Sequence, residues 1–83
     1  MSNQKQRKWH VRSTRDLGMA VRELRLSKGL EQKDLAEAVG IDPTYLSKLE
    51  RTRLSSIMID RVLRVLRHLG ATVTITWTED LDA

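Results

Sequence analysis

The stretch QKDLAEAVGIDPTYLSKLE, residues 32–50, constrains the fold of this chain more than any other part of it. Leu35, Ala36 and Val39 fall on one side of a short helix over about Gln32–Val39, and Gly40 stops it. After Ile41, Asp42 has the chemistry of an N-cap and Pro43 suits a first helical position, so a second helix runs over about Pro43–Arg51. Leu46 and Leu49 give that helix its buried side. The turn between them is only Gly40–Asp42, so the two helices must cross at close range. Small or aliphatic residues are needed where they meet, and Ala36, Ile41 and Leu46 supply them.

The flanking sequence predicts further helices around this pair. Ser13 and Asp16 have the spacing of a capping box, with Asp in place of the usual Glu. Leu17, Val21 and Leu24 follow at helical spacing with Ala20 beside them, and Gly29 supplies a stop. Met19 and Leu26 form a second stripe, either packed under a terminal segment or facing a partner. Residues 51–56, RTRLSS, read as a polar loop. Met58, Val62, Val65, Leu66 and Leu69 then mark a long amphipathic helix flanked by Ile59 and Leu63. Arg61, Arg64, Arg67 and His68 lie on its wet side, and Gly70 ends it. The last segment changes period. In ATVTITW, residues 71–77, Val73, Ile75 and Trp77 alternate with threonines, the signature of a half-buried strand.

The resulting organisation is a flexible basic arm (1–12), a helical domain (13–70), a strand (71–78) and an acidic tail (79–83). Trp9 and Val11 are placed to tack the arm onto the domain. At 83 residues the chain has room for one modest core, a size at which association often adds stability. It contains no cysteine, hence no disulfide framework or thiolate metal site. No run approaches the roughly 18 apolar residues of a membrane span. His10 and His68 are too far apart to suggest a shared ligand set. With no acid–base pair, nucleophile, metal set or phosphate-binding glycine loop, the sequence predicts neither an enzyme nor a cofactor. Of the net charge of +4, residues 1–15 carry Lys5, Arg7, Lys8, Arg12 and Arg15 without an acid. The tail carries Glu79, Asp80 and Asp82 without a base. This polarity favours nucleic acid or an acidic surface as partner. For the arm itself three uses stay open: a solvated tail, a minor-groove arm or a docking segment for a protein.

Two short helices around a glycine turn, the second polar near its N-terminus, outline a helix-turn-helix. A major groove receives such a second helix by its N-terminal residues, here Thr44, Tyr45, Ser47 and Lys48. Each has a bland alternative, with Tyr45 packed against the turn, Lys48 merely solvated and Ser47 off the DNA. From about Leu17 to Gly70 the chain resembles the Xre/Cro-type helix-turn-helix family of phage and bacterial repressors. The resemblance implies an all-α, lambda-repressor-like domain of four to five helices. It implies that Gln32 binds a phosphate and braces the recognition helix, and that Thr44, Tyr45, Ser47 and Lys48 face bases or nearby phosphates. Arg51 and Arg53 would then meet the DNA backbone, and Arg25 and Glu50 would form a buried structural ion pair. Glu31 departs from the usual Ser or Thr N-cap. Asp42 and Pro43 depart from the polar residues usual at the recognition-helix start, and Asp42 would repel phosphate unless engaged in capping.

A repressor of this type works as a homodimer, with two recognition helices about 34 Å apart on a palindromic operator. A lone strand is an aggregation hazard unless it pairs. Pairing with its own copy gives an antiparallel intermolecular sheet through Val73, Ile75 and Trp77. This combination is similar to the HipB-type antitoxins, which implies a HipA-type kinase toxin as partner and repression of a shared operon. A bacterial, cytoplasmic, nucleoid-associated protein follows from the same resemblance. Two alternatives remain: a stand-alone phage- or plasmid-type repressor, and a protein–protein adaptor of the same fold that does not read DNA.

Overall fold

Ser13 opens the first of four helices seen among residues 6–51 and 54–79, the part of the chain described by this computed structural model. They are α1 (Thr14–Ser27), α2 (Gln32–Val39), α3 (Pro43–Arg51) and α4 (Ser56–His68). The Ser13 hydroxyl accepts a hydrogen bond from the Asp16 backbone N–H at 3.2 Å, a side-chain cap on one of the free first-turn amides. Glu31 precedes α2 without any side-chain cap bond. Asp42 does cap α3, its Oδ1 accepting from the Thr44 N–H at 2.7 Å.

Gly40 makes the α2–α3 turn possible. Its φ of 74° lies in the left-handed region, where a β-carbon would be strained. The Ile41 N–H then donates back to the Ala36 carbonyl at 2.9 Å, so α2 ends with a closed hydrogen-bond ring and α3 starts within three residues.

The core is aliphatic. Val21 from α1, Leu35 and Ala36 from α2, Leu46 and Leu49 from α3, and Val62 and Val65 from α4 are all buried. Full burial of a Val or Leu side chain contributes about 1.5–3 kcal/mol each. Leu54, in the stretch read as a polar loop, is also buried, and it pins the α3–α4 connection to the core. The helix α1 packs on α3 and α4, and α2 packs on the same two. At the α1–α3 crossing a glycine is required by space. A β-carbon on Gly18 would overlap the backbone carbonyl of Leu49.

The C-terminal strand expected from ATVTITW is not formed. The Ala71 N–H donates to the Leu66 carbonyl at 2.9 Å, closing the end of α4. Beyond it, residues 72–79 are exposed and belong to no ladder. Val73, Ile75 and Trp77 are 57%, 80% and 77% exposed. A strand exists through its ladder, and one copy of the chain offers this segment nothing to pair with. Met19 and Leu26 are also exposed, so among the described residues neither terminal segment covers them.

Candidate nucleic-acid interface

Helix α3 has two opposed sides. Leu46, Leu49 and Glu50 face inward, while Thr44, Lys48 and Arg51 stand exposed on the outer side. At 100° per residue, positions 44, 48 and 51 lie within one narrow arc, as i, i+4 and i+7 must. Ser47 sits half-buried on one flank of this arc. Arg53 lies outside the described residues.

Tyr45 is turned away from the arc. One residue beyond Thr44, its ring is half-buried on the other flank, with the Arg61 guanidinium over it at 5.1 Å from the centroid. Its hydroxyl is buried without a hydrogen-bond partner among the described residues. The structure therefore places Tyr45 against α4, and a base contact by its hydroxyl would require the ring to move. Arg64 reaches the same neighbourhood, donating from Nη2 to the Val39 carbonyl at 2.9 Å. Arg61 and Arg64 are exposed, as expected for the wet side of α4, and their guanidinium groups also reach Tyr45 in α3 and the last carbonyl of α2.

The carboxylate of Asp42 is taken up by the Thr44 amide, and the Asp42 carbonyl accepts from Leu46 N–H at 3.0 Å. That engagement draws the acid back along the α3 backbone. The negative charge stays on the carboxylate, at the helix N-terminus where the α3 dipole favours it.

Behind the outer face lies a buried polar network. Arg25 donates from Nε to Glu50 Oε2 at 2.7 Å and from Nη2 to Glu50 Oε1 at 3.1 Å. Its Nη1 donates to the Leu30 carbonyl at 2.8 Å. Gln32, half-buried at the start of α2, donates from Nε2 to Glu50 Oε1 at 3.0 Å. One carboxylate thus ties together the end of α1, the following loop, the start of α2 and the end of α3. The Arg25 and Glu50 side chains are only 8% and 1% exposed, so the fork–fork geometry is needed to offset their desolvation. Gln32 is held through the same carboxylate, which fixes its distance from α3.

The basic arm is clasped at Asp16. The Trp9 indole N–H donates to the Asp16 carbonyl at 3.0 Å, and the Arg12 backbone N–H donates to Asp16 Oδ2 at 2.9 Å. The capping spacing of Ser13 and Asp16 is visible in sequence, but this second use of Asp16 is not. Among the described residues no group of His, Asp and Glu is arranged to hold a metal ion. No helix among them is long and apolar enough to cross a membrane.

A short helix, a left-handed glycine turn and a second helix with an exposed polar face make a helix-turn-helix unit inside a four-helix domain. A family model described as a helix-turn-helix domain matches residues 1–77, and the chain belongs to that family. Neither the Xre/Cro branch nor the HipB-type antitoxins is singled out by this match. No curated protein and no solved structure matches the chain.

Proposed function

We propose that the chain is a sequence-specific DNA-binding repressor that acts as a homodimer on a palindromic operator. The observation that carries this reading is the exposed arc of Thr44, Lys48 and Arg51 on a helix whose opposite side is locked into the core. A major groove accepts a helix presented in this way, and polar and basic side chains are what it reads. The network around Glu50 supports the reading, because it holds the α2 start and the recognition helix as one rigid unit. The chemistry is binding rather than catalysis, with no cofactor required.

Dimerisation is supported by the tail. Val73, Ile75 and Trp77 present an unpartnered alternating segment that a second copy completes as an antiparallel pair. The Xre/Cro and HipB-type likeness extends the proposal to an antitoxin that represses its own operon together with a HipA-type kinase toxin. Footprinting on the DNA upstream of its own gene tests the repressor reading. Two protected half-sites one helical turn apart support it, and identical binding to scrambled DNA overturns it.

A further inference from the structure

We propose that the N-terminal arm is a second DNA contact, aimed by the Asp16 clasp along the backbone or minor groove beside the C-terminal end of the recognition helix. This rests on the DNA-binding reading above and extends it to residues outside the helix-turn-helix.

Three observations converge. The first is position. Gly18 lies against the carbonyl of Leu49, so the N-terminal half of α1 sits beside the last turn of α3, where Arg51 is exposed. Asp16 is two residues before Gly18, and the arm is tied to Asp16. The chain 6–13 therefore leaves the domain at the same end of α1 as the α1–α3 contact, from the face about 200° round the helix from Gly18.

The second is charge. Arg7, Lys8, Arg12 and Arg15 are exposed, and among the described residues none of them is in an ion pair. Arg15 and Arg22 stand three before and four after Gly18, so they flank the α1–α3 contact on the same side of α1. Arg15 thus adds to the basic charge of the arm, while Arg22 is paired with Glu23 at 3.8 Å. The third is order. The Trp9 indole and the Arg12 amide both bond to Asp16, although this segment has no regular secondary structure. A tail needed only for solubility gains nothing from being held in one direction. An arm that tracks a phosphate backbone gains, because part of its ordering entropy is already spent.

The test uses the full chain on a duplex carrying the region upstream of its own gene, with a scrambled duplex for comparison. A variant with Arg7→Gln, Lys8→Gln and Arg12→Gln is compared with the parent by hydroxyl-radical footprinting and by binding across a salt series. The expected result is loss of the protection flanking each half-site while the central protection remains. The log–log salt slope falls by roughly 2–3 for each bound protomer, at about 0.9 per phosphate contact, and by about twice that for a dimer on both half-sites. Trp9→Phe keeps every charge and removes only the indole bond to Asp16. It is expected to blur the flanking protection with a smaller change in slope, a result that charge alone does not produce. An unchanged slope and unchanged flanks in the triple variant overturn the proposal and leave the repressor reading standing. So does a triple variant that alters only the sedimentation mass, which assigns the arm to the acidic tail of a second copy. Equal binding of parent protein to both duplexes is a different failure, and it sinks the DNA-reading assignment itself.

Discussion

The Arg25 guanidinium and the Glu50 carboxylate meet through two hydrogen bonds, 2.7 and 3.1 Å long, in a site closed to water. Removing one partner leaves the other charge buried, a penalty of about 3–5 kcal/mol. For a domain this small that is a large part of the total stability. Arg25→Ala and Glu50→Ala are each expected to shift urea unfolding to much lower denaturant. The double variant Arg25→Met, Glu50→Leu should recover much of the loss, because no charge is then stranded. A double variant as unstable as the singles combined would show that the network is not coupled.

Gly18 sets the approach of α1 to α3. In an exposed helix interior, replacing Gly by Ala stabilises by about 0.5–1 kcal/mol. Here the new methyl overlaps the Leu49 carbonyl, and backbone cannot yield as a flexible side chain does. Gly18→Ala is therefore expected to destabilise, by about 1–3 kcal/mol. The sign is the test, and thermal unfolding reads it directly.

Much of this architecture is legible in the sequence, and the exceptions have physical reasons. Aliphatic spacing and glycine stops locate α2, α3 and their turn, because each helix buries one stripe and Gly40 can take a left-handed φ. The burial of Leu54 is hidden by its polar neighbours, since periodicity says nothing about a single apolar residue in a loop. Gly18, a glycine inside a helical pattern, is a signal of close packing that spacing alone does not resolve. The strand failed to appear because a two-residue period reports a willingness to pair, whereas the partner must come from elsewhere. On α3, the shared exposed arc of Thr44, Lys48 and Arg51 follows from helix geometry. The orientation of Tyr45 does not, since it depends on Arg61, a full helix further along the chain.

The hydroxyl of Tyr45 is buried and bonds to nothing among the described residues. A buried polar group without a partner costs about 1–3 kcal/mol, and removing it can be neutral or stabilising. Tyr45→Phe is expected to hold or raise the melting temperature and to leave DNA affinity unchanged. Tyr45→Ala is expected to destabilise, because the ring packs against the core and under Arg61. A loss of operator binding in the Phe variant with folding intact would instead place the hydroxyl on DNA.

Lys48 and Arg51 lie on the outer arc of α3, where truncation leaves no hole in the core. Lys48→Ala and Arg51→Ala should therefore unfold at nearly the same denaturant as the parent while binding operator less tightly. The salt series separates their roles. A side chain that had neutralised a phosphate lowers the log–log slope by about 0.9 when truncated, and weakens all sequences alike. One that had read a base edge costs about 1–3 kcal/mol and relaxes the preference at one position. Thr44→Ala belongs in the same series, because its amide already serves Asp42 and only its side chain is available to the groove.

Trp77 tests the dimer. Ala71 packs against the core and closes α4, so the chain must be cut beyond it if folding is to be preserved. Truncation after Thr72 removes Val73, Ile75 and Trp77, which the domain leaves exposed, and should scarcely change the helical signal or the melting of the isolated domain. If the tail pairs across a two-fold axis, the truncated chain sediments as a monomer where the full chain sediments as a dimer. Trp77→Ser should weaken the dimer without abolishing it, since backbone pairing survives the loss of one side chain. Operator binding then becomes steeply concentration-dependent, because two half-sites must be filled by separate molecules. Single half-site duplexes should bind the truncated and full chains alike. A truncated chain that remains dimeric would move the interface to the helices, where Met19 and Leu26 offer the exposed apolar stripe on α1.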